Sequence, residues 1–433
     1  MKKVKFRINP VLLVVMFAVY ISIYNYYQFI IPSMENVLFF IYQIGRLFFS
    51  LLFVEEIFSI FNKKYSDNKK YTRPFYLIVF FLVLNYVVIA ISEGDFTFLS
   101  KNYQMIKAQG TNDFIGYYFS NLITWTGNCG ISIWLINRIN DNKTIIKSLK
   151  VCLWMIIIPI ILLMLLHPEY IGQRISDLET TNFGGGIWNI GVFGFCSFAW
   201  LTIMCLPFMT NREKRFSYFA LIILIFAGII GLSRSFILTV FLSFIYYFFQ
   251  TSKTANKLLK NVMLFLLIIL SVALLYNIYP NIFESLLGRF HDSTSGTHNV
   301  RFLLWKNYFS NIKEYFIFGA PLGGPYNYYH NLSYKGFYYL PHSSVINYLI
   351  TFGIGGLICY ISFLTKIYFS KGIFDNQMKS CLKAMIIAYI ILAFINQTGF
   401  NQIIFFVSFG IALAFIKINK KNESEKNENR NNN

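Results

Sequence analysis

The sequence predicts an all-α, polytopic integral membrane protein of about twelve transmembrane helices, with one long extracytoplasmic loop carrying an amphipathic helix. Composition is the first reason. The 433 residues are 56% hydrophobic, with 48 Phe and 30 Tyr, and only 13% are charged. A soluble chain carries about 25% charged residues, so a soluble fold of this size has too little charge to cover its surface. The second reason is that apolar runs of about 20 residues, long enough to cross a bilayer core, recur along the whole chain. The third is the placement of Lys and Arg, described below. Together these exclude a soluble enzyme, a nucleic-acid-binding domain and a disulfide scaffold. The net charge of +19 reflects membrane topology rather than affinity for a polyanion.

The expected spans are 11–32, 37–61, 75–92, 114–137, 151–167, 187–208, 217–232, 236–250, 262–279, 343–365, 384–397 and 400–418. An even number puts both termini on one side. The stretches then assigned to the cytoplasm hold 28 of the 38 Lys and Arg, counting Lys417 at the inner end of the last span; the outer stretches hold nine. This threefold excess is the positive-inside bias. Arg46 is left within the second span, where a charge must face protein or a wet cavity. Glu55 and Glu56, near the inner end of that span, read as snorkelling carboxylates. The first span lacks a small-x-small cleavage site and reads as a signal anchor. Residues 1–418 form the transmembrane domain, including the 280–342 loop; 419–433, rich in Asn, Lys and Glu, is expected to be a disordered cytoplasmic tail. All six cysteines fall within spans or at their inner edges, so they read as small core residues.

Candidate chemistry gathers on the outer side. His167, His291, His298, His330 and His342 all lie there, four of them in the 280–342 loop, the longest connection. Within that loop, Trp305, Tyr308, Phe309, Ile312, Tyr315 and Phe316 recur at helical spacing opposite Lys306, Asn307, Ser310, Asn311, Lys313 and Glu314. This predicts an interfacial amphipathic helix over 301–316. Arg301 opens its apolar face, so it either snorkels or meets an anion. Arg234 sits in Gly231–Leu232–Ser233–Arg234–Ser235, at the outer mouth of a helical hairpin. Flanking serines and the free N–H groups of the next helix suit a phosphate or pyrophosphate there. Arg174 either joins such an anion site or pairs locally with Asp177 and Glu179, and Arg289 is a further outer cation. Asn121, Thr124, Thr126 and Asn128 form a polar group in the fourth span, suited either to sugars or to hydrogen bonding between helices. A second polar group, Asn396, Gln397, Thr398, Asn401 and Gln402, marks the outer ends of the last two spans.

Two stretches carry a resemblance. One is the Gly-Leu-Ser-Arg-Ser hairpin at 231–235. The other runs from Arg301-x3-Trp305 through Ile317–Phe318–Gly319 and Pro321–Leu322–Gly323 to His342-x4-Asn347-Tyr348-Leu349, with Gly353, Gly355 and Gly356 following. Their order and spacing resemble the O-antigen polymerase and ligase superfamily over roughly 217–360. The resemblance implies a membrane glycosyltransferase without metal or other cofactor, acting on an undecaprenyl-pyrophosphate-linked glycan. It implies Arg234, Arg301 and His342 as catalytic residues; Arg174, Arg289, His330 and Trp305 are the candidate substrate contacts. His330, followed by Asn331, competes with His342 for the histidine role; Glu284 and Asp292 are the fallback bases. The expected activity is a repeat-unit polymerase for O-antigen or capsule on the outer face of a bacterial plasma membrane. The alternatives are a ligase that hands the glycan to a lipid A-core acceptor, as in lipopolysaccharide, or a flippase. Expected partners are membrane lipid and the pathway's flippase and chain-length regulator; nucleic acid is not expected.

Overall fold

A computed structural model describes residues 9–61, 68–92, 114–168, 189–230, 234–252, 259, 263, 305–306, 309–310, 312–319, 343–370, 375–395 and 402–431. The described residues are helical, with no strand among them. The long elements are α1 (Pro10–Ile30), α2 (Glu35–Phe61), α3 (Lys69–Ser92), α4 (Phe114–Arg138) and α5 (Asn142–Leu166). Then comes α6, built from Asn189–Gly194, a π-helical turn Phe195–Ala199 and Trp200–Cys205. After it come α7 (Asn211–Ile230), α8 (Arg234–Thr251), the short α9 (Ile312–Tyr315), α10 (Ser344–Tyr368), α11 (Asn376–Ile395) and α12 (Ile403–Asn431). Apart from α9, each coincides with an expected span. The expected span 262–279 lies outside the described residues. Six of the described helices are long and apolar enough to cross a membrane, in α2, α5, α6, α10, α11 and α12; shorter apolar helices lie in α1 and α8.

Contacts at one end, called the lower end, set the up-and-down order. The last turns of α2 and α4 meet in the Arg138–Glu55 ion pair. Asn68, just before α3, donates to Asn137 of α4 at 2.9 Å. Lys366 of α10 reaches the Lys70 carbonyl at the start of α3. Lys417 of α12 donates to the Ile136 carbonyl at 2.5 Å, a cation against the carbonyl end of α4. The start of α7 carries a capping box: Glu213 accepts from the Thr210 N–H at 3.0 Å, and Glu213 N–H meets the Thr210 hydroxyl at 3.4 Å. The Thr210 N–H, followed by Lys150 at 3.1 Å, holds this carboxyl below its ordinary range.

In lipid, apolar surface gives helices no reason to associate, so close approach of small residues matters. On α4, Gly127 and Gly130 face α2; a Cβ at Gly130 would lie 2.8 Å from the Phe49 carbonyl. On α6, Gly191 faces α7, where a Cβ would lie 2.7 Å from that of Ala227. On α12, Gly410 faces Ser132 of α4, and the Ser132 hydroxyl donates to the Phe406 carbonyl at 2.6 Å. With α2, α3 and α12 all against it, α4 is the central post. The side chains of Trp125, Trp200, Tyr348, Tyr360 and Tyr389 are wholly buried inside the bundle.

Two expectations change. Glu56 does not snorkel; it is fully buried, and its Oε2 accepts from Asn137 at 2.6 Å and Ser59 at 3.2 Å. Its neighbour Glu55 is the exposed one, because a 100° step on a helix turns one carboxylate to solvent and the other inward. The segment after 418 also differs: α12 continues as helix to Asn431. That stretch has no Gly or Pro to stop the helix, and Lys421 and Glu425 pair at i,i+4, 3.9 Å apart.

Candidate functional site

The other end of the bundle, the upper end, is where α2, α4, α6, α8, α10 and α12 begin. Because the two glycines of α4 draw α2 close, Arg46 is pressed against α4. Its Nη2 donates to the Thr124 hydroxyl and its Nη1 to Gln43 at 3.3 Å. The guanidinium also lies over the Tyr42 ring, 5.4 Å from its centroid, and Tyr42 in turn stacks on Tyr24 at 3.9 Å. A turn below, Ser50 and Thr126 share a hydrogen bond of 2.8 Å. Thr126 therefore serves helix pairing, while Thr124 is committed to a cation. The side chain of Asn121 and residues 396–401 lie outside what is described.

The next residue of α4, Trp125, faces α10. Its ring is 5.4 Å from Tyr348 and 4.6 Å from Phe352. Trp125 lies roughly 16 Å along α4 from Phe114, at about 1.5 Å per residue. So the part of α10 that begins at Tyr348 lies well below the upper end of α4, near the level of the Arg46 contact. The opening turn of α10 is buried: Ser343, which follows His342 in the chain, and Ser344 and Asn347 are each no more than 1% exposed. Ser343 makes no side-chain cap bond.

Further down, α10 is interrupted. Gly353 has φ 68° and ψ −170°, a conformation open essentially to glycine. Into this break docks a strap, residues 316–319, which follows α9. Ile354 N–H donates to the Phe316 carbonyl at 2.7 Å. The buried Asn85 of α3 bridges both pieces, donating to the Phe318 carbonyl and, at 3.1 Å, to the Thr351 carbonyl. Gly319, at φ 86°, lets the strap pass where a Cβ would sit 2.8 Å from the Ile350 carbonyl. The strap thus fastens the end of the amphipathic segment to the core. Residues 305–306, 309–310 and 312–315 are helical, as the periodicity predicts, and Phe309, Phe316, Ile317 and Phe318 are exposed, as suits an interface with lipid.

Arg234 is the first residue of α8, so the helix N-terminus expected at the hairpin is present. Below it, Phe236 is buried against Gly228 of α7, which closes the hairpin tightly. The Arg234 side chain is outside what is described. Trp305 is half-buried in a helical segment. Arg301, His342, Arg174, Arg289 and His330 lie outside the described residues, as do Glu284 and Asp292. The structure adds two residues to which the sequence assigned no role. Asn347 appeared only as part of a motif. Asn85 is a lone amide in the apolar run Phe80–Ala90, and that isolation was its one signal.

These features define a polytopic helical membrane protein with a half-buried cation and a buried, broken helix at one end. Residues 219–361, from within α7 to within α10, match the family model described as O-antigen ligase. The resemblance to the O-antigen polymerase and ligase superfamily is supported over this third of the chain, and with it a function of the O-antigen ligase or polymerase type. No curated protein matches the chain.

Proposed function

We propose that the protein polymerises lipid-linked repeat units, transferring a growing glycan from undecaprenyl pyrophosphate to a hydroxyl of the next lipid-linked unit. One observation carries this reading: the buried opening turn of α10, directly after His342 in the chain and inside the region matched to the family, leads into Tyr348, which packs on Trp125 next to the Arg46 partner Thr124. In the reaction, His342 takes the proton of the acceptor hydroxyl as that oxygen attacks the anomeric carbon. The bond from that carbon to the pyrophosphate oxygen breaks, and undecaprenyl pyrophosphate leaves with its bonding pair. Arg234 and Arg301 neutralise the charge that develops on the leaving group, and Arg46 supports it from within the membrane. The histidine then releases its proton to water. No metal takes part. The distribution of Lys and Arg argues that the upper end faces away from the cytoplasm, in a bacterial plasma membrane with both termini inside.

The second reading is a ligase, favoured by the name of the matched family, O-antigen ligase. Deleting the gene and resolving the surface glycan on a gel separates them. A polymerase deletion leaves a single attached repeat unit in place of a ladder, restored by the wild-type gene and not by His342→Ala. Loss of all attached glycan, with long lipid-linked chains accumulating, identifies a ligase. Accumulation of single lipid-linked units on the cytoplasmic side refutes both and identifies a flippase.

A further inference from the structure

Among the described residues, the opening turn of α10 contains an amide with nothing to bind. Asn347 is 1% exposed, and both its Oδ1 and its Nδ2 are buried without a hydrogen-bond partner. Its own backbone N–H is engaged in the helix, donating to the Ser343 carbonyl at 3.0 Å. Buried side-chain amides are almost always paired, since desolvating one without a partner is unfavourable. Leucine has a similar volume and would fill the same space without that penalty. The amide is four residues from Ser343, itself buried and without a side-chain cap bond, and at the level of the Arg46–Thr124 contact.

We propose that Asn347 receives a sugar ring of the lipid-linked substrate, pairing with its hydroxyls, and so positions the glycan beside the reacting atoms. The choice of ligand class follows from the two bare atoms. Nδ2 needs an acceptor and Oδ1 needs a donor. A pyrophosphate offers only acceptors at neutral pH and would leave Oδ1 facing oxygen. A polyprenyl chain offers neither. Neighbouring sugar hydroxyls offer both, and the uncharged amide adds no charge to attract an anion instead. A site built to hydrogen-bond a hydroxyl also rejects a sugar lacking it strongly, because the protein group is then stranded. Asn347 is thus a specificity-determining contact. This inference rests on the glycosyl-transfer function proposed above.

The experiment compares wild-type protein with Asn347→Leu in nanodiscs, using the lipid-linked repeat unit purified from the deletion strain and bare undecaprenyl pyrophosphate as probes. In wild type, the sugar-bearing lipid is expected to raise Tm more than the bare lipid does. In Asn347→Leu, the unliganded Tm is expected to equal or exceed that of wild type, the two lipids should stabilise equally, and kcat/KM should fall about 10- to 100-fold, the size of one or two lost hydrogen bonds. If leucine is not accommodated, Asn347→Ala should show the same loss of the sugar-dependent shift. Full turnover and an intact sugar-dependent shift in the variant would overturn the Asn347 contact alone. A wild-type protein that neither lipid stabilises, and that turns over neither, would instead overturn the proposed function.

Discussion

Gly353→Ala tests whether the break in α10 is a required part of the architecture. At φ 68° and ψ −170°, alanine pays about 1–3 kcal/mol for the backbone conformation alone. Its Cβ would overlap the Ile317 carbonyl and lie 2.8 Å from the Gly319 nitrogen. Both are backbone atoms of the strap and cannot swing aside as a side chain does. The strap must lift, and the Ile354–Phe316 hydrogen bond goes with it, a further ~0.5–1.5 kcal/mol. The total is about 2–4 kcal/mol. Thermal unfolding in detergent is the first assay, with Ile358→Ala as control; Ile358 is on the same helix but 58% exposed, so its loss removes little packing. The surface-glycan ladder is the second assay, because the strap anchors the segment that leads into the loop. Gly353→Ala should melt clearly below the control and shorten or abolish the ladder. Equal melting temperatures and equal ladders in the two variants would refute the claim that the strap needs a glycine there.

Arg46→Lys should insert and fold but lower turnover about 5- to 100-fold, since one ammonium does not reproduce the guanidinium's contacts to Gln43, Thr124 and Tyr42; purified-protein kinetics decide it. Glu56→Ala should destabilise by about 1–3 kcal/mol by stranding the Asn137 amide, whereas Glu56→Gln keeps an acceptor and should melt near wild type; a glutamine variant worse than alanine contradicts the assignment. Glu213 has a carboxyl held below its ordinary range, so its stabilising effect is present above the unfolded carboxylate range and is lost as pH falls through the lower, folded value. Melting curves from pH 7 down to pH 3 should therefore converge for wild type and Glu213→Gln at the acid end, and diverge towards neutrality.

The sequence announced the helices better than it announced their partners. Apolar runs of membrane length mark a span whatever it packs against, so α1 to α8 and α10 to α12 fall where expected. Helices apolar on every side give no stripe to say which face meets which neighbour. For that reason the central position of α4 was hidden, although Gly127 and Gly130, which create it, stood in plain view. Arg46 was conspicuous because a charge in a span is unfavourable; its partner Thr124 was visible only as one of a group with two possible uses. Asn85 and the strap at 316–319 are separated by more than two hundred residues, and no local pattern links them. The π-helical turn at Phe195–Ala199 leaves no residue signature either. Glu55 and Glu56 look alike in sequence, and only the packing against α4 tells them apart.

All six cysteines are buried in the described core, and they sit at Cys129 in α4, Cys152 in α5, Cys196 and Cys205 in α6, Cys359 in α10 and Cys381 in α11. The native chain therefore contains a set of concealed reporters. A thiol-reactive dye that fluoresces on coupling should stay dark with the folded protein and brighten only as helices part, which turns these residues into an unfolding clock that needs no engineered label. Because α1, α2, α3, α7, α8 and α12 carry no cysteine, the signal times the opening of the interior around α4, α5, α6, α10 and α11 rather than fraying of the other helices.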